Sequence, residues 1–369
     1  MELYDQDKPV ANKTKSFILM LLAIIIFIFS IDLLTVAMGQ LNNSVASEIL
    51  RATQNPFVSL FIGLLMTALI QSSSTVTSSI VAIVAAGNMT LEQAVPMVMG
   101  ANIGTTLTST LVSFSYIMKK NQFRRAISAG ILHDIFNIIT VFILLPLEFY
   151  FRFLSNLAHK IASLFVTNES FSGSFDYNKV FTRPLTEWIS DTIQIPFVTL
   201  VIAIFFVFGA IKILSSSVYK AFVIDSFQDI NNFIFKKTYL AFTYGMFFTA
   251  AVQSSTVTTS LVVPLVANKK VSLKKSFPFI IGANIGTTIT AAIAAFYKTE
   301  AAIALAIVHF LINFFGALIF LPFPALRSLP IKLASYMGRK TVKTRFIGFA
   351  YILLTFFIIP FLLIYFSNS

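Results

Sequence analysis

Long apolar stretches, each interrupted by only a few polar residues, run through the chain at Ser16–Met38, Ala126–Tyr150, Ile193–Leu214, Ala301–Leu321 and Phe346–Phe366. About 20 apolar residues in a helix cross the hydrocarbon core of a bilayer, so each stretch predicts a membrane-spanning α-helix. No small-residue cleavage site follows the first, which reads as a retained helix and not a removed leader. Four further apolar segments, Phe57–Gly87, Leu91–Met118, Tyr239–Ala267 and Ser276–Tyr297, carry clusters of hydroxyl and amide side chains. The pattern predicts an all-α, polytopic membrane protein.

Those four segments are two copies of one module. Gln71-Ser72-Ser73-Ser74 recurs as Gln253-Ser254-Ser255-Thr256, and Gly-Ala-Asn-Ile-Gly-Thr-Thr stands at both 100–106 and 282–288. Gln71 to Gln253 and Gly100 to Gly282 are both 182 residues apart. Internal repeats with interrupted apolar segments in corresponding places are a sign of a transporter with a site near the bilayer midplane. The expected organisation is a first repeat with the N-terminal helix (1–152), an outer loop (153–191), a second repeat (192–326), and a basic inner loop with a C-terminal helix (327–369).

Composition agrees: 57% of the residues are hydrophobic and 11% charged, against roughly a quarter charged in a soluble domain. With no cysteine, disulfides, thiol chemistry and cysteine metal sites are excluded. The net charge of +12 falls in clusters around Lys8–Lys15, Lys119–Arg125, Lys220–Lys237, Lys269–Lys275 and Arg327–Arg345. These lie between apolar spans, so attraction to anionic lipid headgroups accounts for them and no nucleic-acid partner is implied. The positive-inside rule puts all five clusters in the cytoplasm, with the N-terminus, for a multi-pass protein of the cell (inner) membrane. Threading the spans through those labels makes Phe57–Gly87 a hairpin entering from outside and Tyr239–Ala267 a hairpin entering from inside. The repeat is then inverted, each half carrying a re-entrant helical hairpin, and the two polar tips meet near the bilayer centre.

Ordinary small-residue helix packing explains one Ser or Thr per turn. It does not explain Gln with consecutive hydroxyls twice in register. Unsatisfied polar groups cost several kcal/mol in hydrocarbon, so a broken helix must line protein or a water-filled cavity. A tip exposes free N–H groups that attract an anion, while the preceding carbonyls and the hydroxyl oxygens suit a hard cation such as Na⁺. Neither tip carries Lys or Arg. A co-bound cation is the simplest countercharge for an anion there, although a neutral solute also fits this chemistry.

The paired motifs, over roughly residues 57 to 325, resemble the type II sodium/phosphate cotransporter family. The resemblance implies an inverted-repeat fold and sodium-coupled phosphate cotransport by alternating access around the two tips, with sodium as a cotransported ion. It places phosphate contacts at Gln71, Ser72, Ser73, Ser74, Gln253, Ser254, Ser255 and Thr256, with Asn102 and Asn284. It places sodium ligands at Gln71, Ser254, Ala283, Thr287 and Thr290, with Thr105 and Thr108. Thr256 departs from the Ser of the first copy by one methyl group. The short, cysteine-free segment 152–191 resembles bacterial members. A carrier or exporter of another small oxyanion, and a non-transporting membrane scaffold, are the alternatives. No metal-ligand cluster, nucleotide loop or nucleophile–base pair suggests an enzyme.

Other polar residues sit within apolar spans. His133 with Asn137, and His309 with Asn313, are spaced i, i+4 on one helix face, a spacing that favours helix–helix hydrogen bonding over a metal site. Asp32 and Asp134 are functional suspects by their position alone. The Asn168-Glu169-Ser170 sequon reads as a chance match, Trp188 and Tyr177 as interfacial aromatics, and Pro96 and Pro278 as helix kinks.

The inverted arrangement is testable by single cysteines in this Cys-free chain. Cysteine at Asn88 is expected to react with a membrane-impermeant reagent from outside and cysteine at Lys270 from inside. Labelling of both from one side excludes inversion.

Overall fold

The computed structural model describes residues 13–41, 43–166, 182–218, 233–296 and 298–367. Expectations resting on Lys8, Lys220, Asn168-Glu169-Ser170 and Tyr177 lie outside the described residues. Among those described, the regular structure is helical, with no strand. Among the described residues six helices are long and apolar enough to cross a membrane: Lys15–Gly39, Lys120–Phe151, Pro196–Ser217, Leu273–Ala295, Glu300–Phe320 and Phe346–Phe366. The protein is an all-α, multi-pass membrane protein. Phe17, Ile25, Phe205, Phe361 and Phe366 stand exposed on its peripheral helices, as side chains that face lipid do.

The polar-tipped segments are helical hairpins. Pro56–Ile70 and Ser73–Ala85 form the first, and Thr238–Val252 followed by Ser255–Ser260 and Val262–Ala267 the second. Each reverses at its glutamine. Gln71 has φ 60° and ψ 24°, and Gln253 φ 53° and ψ 27°, left-handed values that cost a non-glycine residue on the order of 1 kcal/mol. The next residue starts the second limb as its N-cap: the Ser72 hydroxyl accepts from Thr75 N–H and the Ser254 hydroxyl from Val257 N–H, both at 3.3 Å. Two consecutive residue types therefore encode the break, one ending a helix and one beginning the next.

Each hairpin's first limb packs extensively against the helix that follows in its own repeat. The helices cross so closely that a side chain has no room. A Cβ on Gly63 would strike the carbonyl oxygen of Met97, and one on Gly100 that of Leu60; Gly245 against Phe279 and Gly282 against Phe242 repeat both collisions. All four pairs are related by the same 182-residue offset. The duplication read in the sequence is therefore a duplication of packing.

The copies differ where their sequences do. The span expected over Leu91–Met118 is broken, with helices at Leu91–Gly104 and Leu107–Ser113 and a 3₁₀ turn at Phe114–Tyr116, whereas its counterpart Leu273–Ala295 is continuous. Leu-Thr-Ser-Thr-Leu-Val-Ser at 107–113 faces Ile-Thr-Ala-Ala-Ile-Ala-Ala at 289–295. Alanine is the best helix former, and Ser and Thr compete for the backbone. In the second hairpin the limb breaks at Leu261, where Pro264 lacks the N–H that would bond to Ser260. Pro96 and Pro278 both lie buried inside helices.

Two expected loops are largely helical where their residues are described. Residues 153–191 contain Phe153–Val166 and Arg183–Ile193, and residues 327–369 begin within the helix Pro324–Lys343. Buried Glu148 starts the first of these by accepting from the N–H groups of Leu154 at 2.7 Å and Ser155 at 3.2 Å. The amphipathic helix Asn43–Ala52 falls in a stretch the apolar pattern leaves as loop. Asp32 is fully buried and paired, accepting from Lys298 Nζ at 2.9 Å, Arg183 Nη1 at 3.3 Å, and the hydroxyls of Thr182 and Thr186 at 3.0 Å each. A carboxylate with four donors binds the first span to Arg183–Ile193 and to the turn at Lys298, so its burial has a structural cause.

The glycine crossings make a testable demand. Gly282→Ala is expected to destabilise the folded protein by roughly 1–3 kcal/mol, the usual cost of overpacking. Gly209→Ala, where no atom lies within 4 Å, should be neutral. Equal thermal unfolding of both variants in detergent would remove the close crossing as a source of stability.

Candidate binding site between two helix breaks

The two tips meet. The Ser74 hydroxyl donates to the carbonyl of Gln253 at 3.0 Å, and the hydroxyls of Ser109 and Thr259 lie 2.9 Å apart. Ser73–Ala85 packs on the second repeat's helix Leu273–Ala295, and Ser255–Ser260 packs on the first repeat's Leu107–Ser113. Each repeat thus sets its second limb against a helix of the other. Ser73, Ser74, Gln253 and Ser255 are buried, while Gln71, Ser72, Ser254 and Thr256 are half-buried.

At the first tip, Gln71 is held by its neighbours. Its amide nitrogen donates to the carbonyl of Ala68 and its amide oxygen accepts from the Thr108 hydroxyl. The second tip lacks that pairing. Gln253 Oε1 and Thr290 Oγ1, the counterparts of the bonded pair, are both buried without a hydrogen-bond partner. Thr67 and Thr249, counterparts one helical turn before each break, also carry buried, unpartnered hydroxyls. Their shared offset was visible in the sequence, but nothing there distinguished them from helix-packing threonines. Thr105 and Thr287 each donate back to a carbonyl four residues earlier, at Ala101 (2.9 Å) and Ala283 (3.2 Å).

Buried oxygen atoms without partners are costly unless something supplies a partner. The unpartnered atoms here are amide and hydroxyl oxygens, donors suited to a hard cation. Among the described residues no group of three or more His, Cys, Asp and Glu stands ready for a transition metal.

Beside the tips runs a chain of buried hydrogen bonds that joins the repeats reciprocally. His133 Nε2 donates to Asn284 Oδ1 at 2.6 Å, and His309 Nε2 donates to Asn102 Oδ1 at 3.1 Å. Asn284 Nδ2 donates to Asn137 Oδ1 at 2.6 Å, and Asn102 Nδ2 donates to Asn313 Oδ1 at 3.3 Å. Asn137 Nδ2 closes the chain onto the backbone carbonyl of Asn102 at 2.8 Å. Each repeat's histidine bonds the other's asparagine. The i, i+4 pairs are therefore helix–helix connectors. Asn102 and Asn284 have both ends of their amides engaged. Asp134 accepts from the hydroxyls of Thr110 at 3.0 Å and Tyr351 at 3.1 Å.

The reciprocal bonds predict measurable coupling. Replacing His133 and Asn284 by Ala, singly and together, should give non-additive losses of stability of roughly 0.5–2 kcal/mol. Strict additivity would mean that this contact does not join the repeats.

The sequence profile of the Na⁺/Pi-cotransporter family matches residues 26–165 and 204–322. The chain is similar to sodium-dependent phosphate transport protein 2A of Ovis aries, 30% identical over an alignment 427 positions long that covers 93% of this chain and 66% of that protein. It is 29% identical to the 2A protein of Rattus norvegicus, over 95% of this chain and 67% of the relative. It is 27% identical to sodium-dependent phosphate transport protein 2B of Homo sapiens, over 93% and 64%. The chain thus spans about two thirds of the length of these relatives. No solved structure matches it.

Proposed function

The chain belongs to the Na⁺/Pi-cotransporter family, a family of transporters and not of enzymes, and on that premise we propose that it carries inorganic phosphate across the membrane together with sodium. The observation that carries the reading is the meeting of two glutamine-reversed helix breaks from two copies of one module, with Ser74 bonded to Gln253 across them.

In this reading phosphate lies against the two tips. Gln71, Ser72, Ser73 and Ser74 hold it from one repeat, and Gln253, Ser254, Ser255 and Thr256 from the other. The hydroxyls donate to its oxygens, and the first N–H groups of each second limb face its charge. Asn102 and Asn284, bonded on both sides, brace the tips from behind. The tips contain no fixed positive charge, so sodium supplies it. Gln71, Ser254, Ala283, Thr287 and Thr290 offer oxygens for the ion, with Thr105 and Thr108 beside them, and the unpartnered oxygens of Gln253 and Thr290 support a cation at this place.

The halves of the carrier are residues 1–152 and 192–326, inverted about an axis in the membrane plane, as the distribution of basic residues favours. Segment 153–191 lies on the outer side, and 327–369 starts on the cytoplasmic side of the cell membrane. Alternating access follows if one half rocks against the other around the tips. The His–Asn chain, which exchanges partners between the halves, lies across that motion.

Uptake of labelled phosphate into proteoliposomes tests this. Uptake is expected to require sodium on the phosphate side. Ser73→Ala or Ser255→Ala should weaken apparent phosphate affinity about tenfold, because each lost buried partner costs roughly 1–3 kcal/mol. Uptake indifferent to sodium would reject the coupling, and unchanged affinity in both variants would reject the site.

A further inference from the structure

Three basic clusters that are far apart in sequence converge on one cavity. Arg124 and Arg125 open the helix Lys120–Phe151, Lys269 follows the second hairpin, and Arg339 lies on the helix Pro324–Lys343. Together with Ser128 and Ser335 they line a space of about 480 Å³, within the usual range of small-ligand sites, about 300–1,000 Å³. Among the described residues no carboxylate forms an ion pair with any of the four cations. Arg125 is fixed in place, its Nε donating to the carbonyl of Ala267 at 2.8 Å. Arg339 and Ser335 are one helical turn apart and so share a face.

The repeat offers an internal comparison. The turn after the first hairpin has Gly87 at φ 79°, and the counterpart 182 residues on is Lys269 at φ 61°. That backbone conformation suits glycine and strains a lysine. Around it, Gly-Asn-Met-Thr-Leu-Glu-Gln at 87–93 becomes Lys-Lys-Val-Ser-Leu-Lys-Lys at 269–275. Cytoplasmic retention of positive charge accounts for added lysines anywhere in this loop. It does not require one in a left-handed conformation lining a cavity with three arginines. Strain held at one position points to a function for that position.

We propose that this cavity is a second anion site, separate from the helix tips, that binds a phosphate group. Its ligand is the headgroup of an anionic phospholipid or a soluble phosphate anion. Basic pockets between spans at the cytoplasmic face take such headgroups, and guanidinium groups match phosphate oxygens bidentately. The proposal does not depend on what the tips transport.

The test uses the whole purified protein. Retention of phosphatidylglycerol against phosphatidylcholine is measured by native mass spectrometry. Binding of inorganic phosphate is measured separately in a Ser73→Ala/Ser255→Ala background, which weakens the tips. A cation at a headgroup is worth about fivefold in affinity, so Arg124→Gln/Arg339→Gln should lower retention by tenfold or more. Lys269→Gly should lower it about fivefold while thermal stability is unchanged or raised, because glycine relieves the strain; this separates lost binding from lost folding. Preferential loss of phosphatidylglycerol identifies the lipid source, and preferential loss of phosphate identifies the soluble one. If neither ligand is bound less by Lys269→Gly and by the double arginine variant, the proposal is wrong.

Discussion

Two helices break within the apolar body of this protein, and hydrocarbon offers no partner to a backbone group left open there. Much of the architecture follows from that constraint. Each break is made with the fewest residues, a left-handed glutamine and a capping serine, so that little backbone is freed. Part of what remains open is met from the other copy of the module: Ser74 donates to the Gln253 carbonyl. The second hairpin thus takes a partner for its break from the first, while Gln71 is held within its own repeat.

Close packing keeps the breaks in register. Glycine pairs at the crossings let each hairpin's first limb lie backbone to backbone against its neighbouring helix, and the break then sits a fixed number of turns beyond the crossing. Van der Waals contact between small residues is the main attraction available between helices in lipid. The buried His–Asn chain adds direction to that packing. Its bonds run from each repeat to the other, so they favour one relative placement of the halves among the many that apolar packing alone would accept.

Similar sequence does not produce identical halves. Serine and threonine at 109 and 110, where the second repeat has alanines, accompany a broken helix and hydroxyls that reach Thr259 and Asp134. Gln71 is paired with Thr108, while Gln253 and Thr290 stand unpaired. The duplicated tips thus carry an asymmetric set of oxygens.

The linear chain by itself determined the class and the module. Apolar runs near the bilayer thickness require spanning helices, and the repeated Gln-Ser-Ser stretches mark both hairpin breaks to the residue, because helix ends depend on local backbone preferences that single residues carry. The i, i+4 spacing of His133 with Asn137 and of His309 with Asn313 also placed each pair on one face. It could not say that the histidine of one copy bonds the asparagine of the other, since that choice depends on how two halves dock. Asp32 looked functional as a lone carboxylate in an apolar run; only folding brought Lys298 and Arg183 to it. The basic clusters read as signals of sidedness, and only the tertiary structure gathered three of them around one cavity. Periodicity and capping are local, so the sequence displays them directly, whereas contacts between residues more than a hundred positions apart arise from packing that no local pattern records.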